Sequence, residues 1–290
     1  MSSQKTLDVR RVLRVVPSTP TLEGAGVRLK RAFAEKTLLD PFLLLDNFHS
    51  DNPADYVAGF PSHPHRGIET VTYMLYGEIK HEDSLGNAGV IQPGDVQWMT
   101  AGSGIIHSEM PLRQNGLLWG FQLWCNLPAA QKMMSPRYQD ILANQIPLVT
   151  LENQTEVKVI SGQVNGTRGP VKDIVTDPEY LDVAIPPFAD FDHQVKKGYT
   201  VFAYVIEGSG YFDDHRSDPV KKEHLVLFRD GDHVTVRTEG EGVRFLLISG
   251  KPIGEPVAWY GPIVMNTQQE LNIAFEEYRR GTFLKHDPSN

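Results

Sequence analysis

The chain has 290 residues, with 36 acidic against 28 basic side chains and a formal charge of −8. That balance leaves no footprint for a phosphate backbone and argues against direct nucleic-acid binding. The single cysteine, Cys125, rules out an internal disulfide, and no apolar run approaches the roughly 18 residues of a membrane span. The N-terminal stretch MSSQKTLDVRRVLRVV breaks its apolar residues with Arg10, Arg11 and Arg14, so it reads as no signal peptide. A cytoplasmic protein is expected, nuclear as well if the source is a eukaryote.

Taken in order, the chain is β-rich almost throughout. Leu7 to Val16 mixes aliphatic and β-branched residues with polar ones and stops at Pro17. Gly24 and Gly26 mark a turn, after which Val27, Leu29 and Phe33 form the apolar positions of a second strand. Asp40-Pro41 turns into Phe42-Leu43-Leu44-Leu45, a run expected to be buried on both faces. Asn47 to Pro61 is loop-like. Thr70 to Tyr76 is rich in Val, Thr and Tyr and ends at Gly77; Glu78 to Asp83 is expected to return antiparallel to it. Pro93-Gly94-Asp95 precedes a strand at Val96–Met99, and Ala101 to Gly104 is a flexible loop. GLLWGFQLWCNL closes the module, its Trp119 and Trp124 reading as core and Cys125 as a small buried hydrophobe.

From Pro128 to Pro147 the pattern changes, and a short helical turn at Ala129–Met134 is expected inside an interdomain connection. A β pattern restarts at Val157 and repeats features of the first half. Thr200-Val201, Tyr204 and Gly208 echo Thr70-Val71, Tyr73 and Gly77, and Asp230-Gly231-Asp232 echoes Pro93-Gly94-Asp95. Two modules follow, 1–135 and 136–290. The C-terminal segment holds one helix: Thr267 and Glu270 form a capping box, Leu271, Ala274, Phe275 and Tyr278 share one face, and Arg279, Arg280 and Gly281 end it. Phe283 to Asn290 is expected to fray.

Two pairs of ligand-type residues lie in the first module. His63 and His65 stand in GFPSHPHRGIETVTY; His107 and Glu109 stand in MTAGSGIIHSEMP. Residues two apart in a strand leave the same face, so each pair aims one way, and two such strands on facing or adjacent walls of a barrel bring four ligands to one point. Three imidazoles and a carboxylate suit Fe(II), Mn, Ni or Zn rather than a thiolate-seeking metal. The order HxH, turn, further His is that of cupins, although Thr100 stands where a typical cupin has proline and His107 follows two residues later than usual.

HPHRGIETVTYML, GDVQWMTAGSGIIHSEMP and GPIVMNT resemble the pirin family, over about Leu39 to Tyr278. The resemblance implies a bicupin: an all-β fold of two tandem cupin-type barrels with a short C-terminal helix. It implies His63, His65, His107 and Glu109 as ligands of one non-haem metal, Fe(II) first, with Ni, Mn, Zn or Cu as alternatives, and Glu69 as a buried non-ligand. In the second module the matching positions are Gln194, Lys196, Arg244 and Leu246, so that barrel is expected to be metal-free, with His193 merely solvated or hydrogen-bonded in a loop. Related proteins cleave flavonols such as quercetin with O2, with Glu109 as the base for the substrate hydroxyl. Phe60, Ile105 and Trp98, near the mouth, are candidates for holding an aromatic substrate. The alternative implied is an iron-dependent co-regulator of transcription factors, or a module that binds a metabolic enzyme, without turnover.

Overall fold

The computed structural model describes residues 8–112, 116–213, 215 and 218–286. Leu7, which opens the first expected strand, and residues 287–290 of the stretch expected to fray lie outside them. In chain order the first twelve strands are β1 (Val12–Pro17), β2 (Thr19–Glu23), β3 (Val27–Ala34), β4 (Phe42–Ser50), β5 (Phe60–His65) and β6 (Ile68–Tyr76), then β7 (Ile79–Asp83), β8 (Ala88–Ile91), β9 (Val96–Thr100), β10 (Ile105–Pro111), β11 (Leu118–Asn126) and β12 (Arg137–Ile141). Shorter and longer strands continue to Ile263–Met265, and one helix, α1, spans Gln268–Arg280. The architecture is the expected pair of β-barrel modules.

The two compact units are not contiguous in sequence. One joins Thr19–Gln145 to Ile253–Asn290; the other joins the chain up to Ser18 to Ile146–Pro252. Local patterning suggests a single cut at 135/136, because it identifies elements but not their pairing partners. In the unit containing Ile146–Pro252, β1 pairs antiparallel with the strand His224–Phe228, and so closes one edge of a sheet made largely from the second half of the chain. That sheet runs through Thr200–Gly210, Val243–Gly250 and Glu179–Ile185, and buries Val201, Ala203, Phe245 and Leu247 in one apolar core.

In the other unit, two antiparallel sheets face each other. The larger has the order β12-β9-β6-β11-β4-β3-β2, the smaller β5-β10-β7-β8. Met74 and Leu118 of the larger sheet pack with Ile79 and Ile91 of the smaller. β4 is buried from Phe42 to Phe48, as its apolar run Phe42–Leu45 predicts for a central strand, with Asp46 and Asn47 buried as well. A bulge in β3 between Arg31 and Phe33 breaks the alternation, which is why Ala32 and Phe33 are both buried. The segment after Pro128 differs from expectation. Only Ala129–Gln131 forms a helical turn, and Arg137–Ile141 is an edge strand against β9 rather than connection.

The C-terminal segment is bound to the metal-motif strand by buried polar anchors. α1 has the expected capping box at Thr267 and Glu270 and ends at Gly281 in the left-handed region. Its buried side, Leu271 and Ala274, packs on Ile263, Met265 and Phe283. Arg66, directly after His65, donates to the carbonyl oxygens of Ser103 and Phe283 and to Glu277, each at 2.7 Å, and its guanidinium lies 4.2 Å over the Phe283 ring. Lys132 Nζ donates to the carbonyls of Gly67 and Val264 and to Asn126 Oδ1. At Gly67 the backbone has φ +78° and a Cβ would lie 1.9 Å from Val264 O, so glycine is required for the two segments to meet.

Replacing Arg66 by Met should therefore loosen α1. Two buried carbonyls lose their donor at roughly 1–3 kcal/mol each. The expected result is a fall in unfolding free energy on the order of 3 kcal/mol by urea titration, with faster amide exchange across 268–280.

Candidate functional site

Strand pairing assembles the histidine cluster. β5 and β10 are antiparallel with His107 directly opposite His63 and Ile105 opposite His65. His63 Nε2 lies 3.1 Å from His65 Nε2 and 3.0 Å from His107 Nε2. Among the described residues these three form a group able to hold a metal ion. His63 Nδ1 is 2.9 Å from Pro61 O and His65 Nδ1 is 3.1 Å from Pro262 O. A carbonyl only accepts, so the proton of each ring is assigned to Nδ1 and Nε2 is left as a lone pair. Two lone pairs that face each other across 3.1 Å repel unless a cation lies between them. Metal–nitrogen bonds of about 2.1 Å at right angles put neighbouring nitrogens about 3.0 Å apart. The two separations about His63 thus fit neighbouring positions of a six-coordinate metal, and three nitrogens within 4.8 Å of one another leave room for other ligands.

Glu109 sits differently from the three histidines. A bulge between His107 and Glu109 shifts the register so that Glu109 faces Phe60 instead of Pro61. Its carboxylate is buried, with Oε1 accepting from Thr72 Oγ1 at 2.9 Å, while Gln122 Nε2 donates to the same hydroxyl at 3.2 Å. The amide occupies a lone pair of Thr72 and so directs its proton toward Glu109. Oε2 has no hydrogen-bond partner among the described residues. Glu109, His63 and His65 all border a cavity of about 680 Å3.

Other expected site residues lie elsewhere. Glu69 is fully buried but bonds Thr100 on the neighbouring strand, and burial pushes its carboxyl upward; alternation turns it away from the sheet face that carries Thr70 and Thr72. Trp98 is not near the mouth. It is wholly buried, opposite Val71, on that same averted face. Ile105 is also fully buried, packed among Leu43, Ile68 and Met99 rather than lining the cavity. Phe60 does line it. Trp119 is buried against His49 and Tyr76, whereas Trp124 alternates onto the cavity face, 5.1 Å ring to ring from His65. Cys125 is buried, which pushes its thiol well up and leaves it unreactive.

Six contributors are not legible in the sequence. His81, opposite Glu109 on β7, is completely buried, bonds Asp83 at 3.3 Å and stands 5.2 Å from the His107 ring. Its spacing from Asp83 was the available signal. Thr72 and Gln122 look like ordinary strand residues. Trp259, Tyr260 and the carbonyl of Pro262 come from the segment before α1, which no local pattern ties to the motif.

In the other unit the positions matching the ligands are otherwise engaged. Lys196 pairs with Asp177, Arg244 forks onto Asp182 at 2.9 and 2.7 Å, and Leu246 is core. His193 lies on a strand, buried beside Phe191, and bonds Glu179 at 2.9 Å.

Comparison with known proteins bears on family and fold. The pirin family model matches residues 26–125, and the pirin C-terminal cupin domain matches residues 180–284. A pirin-like protein of Caulobacter vibrioides is 46% identical over 96% of this chain and all of its own length. The chain belongs to the pirin family. Pirin-1 of Arabidopsis thaliana is 47% identical over 89% of this chain and 88% of its own. Among solved structures, a quercetin 2,3-dioxygenase from Acinetobacter baumannii superposes with a TM-score of 0.87 at 32% identity, over 95% of this chain and 98% of that one. No helix among the described residues of this pirin is long and apolar enough to cross a membrane.

The cluster makes the apo-protein sensitive to acid. Burial, and then the neighbouring histidines, hold His65 and His107 well below their ordinary value of 6.5. The unfolded chain therefore takes up protons below pH 6.5 that the folded chain does not, and stability falls as pH drops. Each such histidine costs up to about 1.4 kcal/mol per pH unit below that point. Thermal unfolding of metal-stripped protein should show a melting temperature that falls as the pH drops below 6.5.

Proposed function

We propose that this pirin is a metal-dependent dioxygenase that opens the central ring of a flavonol such as quercetin with O2 and releases carbon monoxide. The observation that carries the proposal is the three facing imidazole nitrogens at the edge of an aromatic-walled cavity. His63, His65 and His107 would hold the metal and Glu109 would complete it; a mixed nitrogen and oxygen set suits Fe(II), Mn, Ni or Zn, and the family resemblance puts Fe(II) first. When bound, the metal supplies open positions for a substrate oxygen and for O2, and stabilises the negative charge of a deprotonated hydroxyl.

The chain's own residues account for the rest. Glu109 Oε1 is fastened by Thr72, so its second oxygen remains to ligate or to take the proton of the substrate 3-hydroxyl. Trp124, Trp259 and Phe60 offer flat apolar walls that orient fused rings and keep water from the reacting carbon. The carbonyls of Pro61 and Pro262 hold the imidazoles in the ligating tautomer. Family membership, and the name carried by the Acinetobacter baumannii structure, support the substrate class.

The ligand assignment predicts close to one equivalent of transition metal per chain by elemental analysis, and loss of most of it in His63→Ala and in His107→Ala. Full occupancy in both variants would overturn it. For the reaction, oxygen uptake with quercetin is compared between wild type and Glu109→Gln, each normalised to metal content. The amide still offers an oxygen ligand but accepts a proton poorly, so turnover per metal should fall by about 10²–10⁴. Equal turnover per metal would remove Glu109 as base. If iron-loaded wild type consumes no oxygen above the apo-protein, the co-regulator or protein-interaction reading replaces catalysis.

A further inference from the structure

From Glu109 a row of polar side chains crosses the larger sheet on its cavity face. Thr72, which holds Glu109, pairs in register with Gln122; Gln122 pairs with Asp46, and Asp46 with Arg31. Neighbouring strands are about 4.8 Å apart, so Asp46 stands roughly 10 Å and Arg31 roughly 15 Å from Thr72 along the row. Gln122, Asp46 and Arg31 line the same cavity as His63 and Glu109. That reach suits a molecule of two or three linked rings with one end at the histidines.

At the far end one cation serves two carboxylates. Arg31 donates through Nε and Nη2 to the two oxygens of Asp46 at 2.8 and 2.7 Å, and through Nη2 to Glu23 at 2.7 Å. The Asp46 side chain is 7% exposed and that of Arg31 21%. Burying such a pair gains little stability over an apolar pair of equal volume, so its presence in a cavity wall calls for another reason. Hydrogen-bonding capacity is left over. Arg31 Nη1 and Glu23 Oε2 have no partner among the described residues, and each Asp46 oxygen retains a second lone pair. The cluster, at net −1, thus presents one donor and several acceptors to the cavity.

We infer that Arg31, Asp46 and Glu23 form a specificity subsite that reads the ring hydroxyls of a neutral polyphenol whose other end lies at the histidine cluster. The carboxylates accept from phenolic hydroxyls and Arg31 Nη1 donates to one. Their excess negative charge disfavours a carboxylated ring. The inference rests on the flavonol reading for its ligand class, and binding can be tested without turnover.

The test is anaerobic binding of quercetin and of 3-hydroxyflavone to iron-loaded protein, followed by tryptophan fluorescence, since Trp124 and Trp259 border the cavity. The second ligand keeps the metal-binding hydroxyl and lacks the ring hydroxyls. Wild type should favour quercetin by about ten- to hundredfold, the range for one or two charge-assisted hydrogen bonds. Asp46→Asn should shrink that preference to about threefold or less while leaving 3-hydroxyflavone affinity unchanged. Should Asp46→Asn fail to fold, Glu23→Gln, whose side chain is 41% exposed, decides: the preference should fall at least about threefold. A wild type that binds the two ligands equally, or binds neither, overturns the subsite, as does a preference kept in every folded variant. Tight, Asp46-dependent quercetin binding with no oxygen uptake in air would leave the subsite standing and remove the dioxygenase reading instead.

Discussion

The antiparallel pairing of β5 with β10 is the constraint on which the site depends. Only in the observed register does His107 stand opposite His63, and a slip of one residue would send its side chain to the other face of the sheet. The bulge that follows is equally consequential. It absorbs one residue, so that Glu109 meets Thr72 of the opposite sheet while His107 keeps its place beside His63. A carboxylate two residues beyond a ligand would share the histidine's face in any regular strand. The bulge sets how that shared face is offered to the cavity.

Rigidity comes from outside the motif. Imidazole lone pairs converge because backbone carbonyls hold the opposite ring nitrogens, and one of those carbonyls, at Pro262, belongs to a segment nearly two hundred residues later in the chain. The same segment supplies Trp259 and Tyr260 to the cavity and is fastened by two buried cations: Arg66 donates to two carbonyls and a carboxylate, Lys132 to three carbonyl oxygens. Helix α1 is therefore part of the machinery that shapes the site, although none of its side chains reaches the histidines. Arg66, the residue next to His65, links the helix to the histidine-bearing strand through Glu277.

The larger sheet divides labour between its faces. On one face Glu69, Trp98 and Cys125 are sealed in, and the same burial that raises the pKa of Glu69 and Cys125 makes them chemically quiet. On the other, Thr72, Gln122, Asp46 and Arg31 form a polar row along a cavity with aromatic walls. Adjacent residues of a single strand, Leu123 and Trp124 for example, are thus core and site respectively.

The sequence by itself determined the β-rich character, the two-module plan, the capped C-terminal helix and the spacing of His63, His65, His107 and Glu109. Each is encoded within a few residues, where alternation, turn residues and capping side chains act. The resemblance carried by those motifs likewise rested on local strings. Tertiary structure alone decided the pairings that join distant segments: β1 with His224–Phe228, Arg137–Ile141 as an edge strand, the pre-helical segment against the segment that carries His65. It also decided which face of each strand met the cavity, and so separated Trp124 from Trp98 and brought in His81, Thr72 and Asp46. Strand alternation assigns residues to two faces but does not say which face is covered by what, because that depends on the partner sheet and on bulges that change the register. The physical reason is that side-chain direction is a local property of the backbone, whereas convergence on a common point is a property of packed sheets.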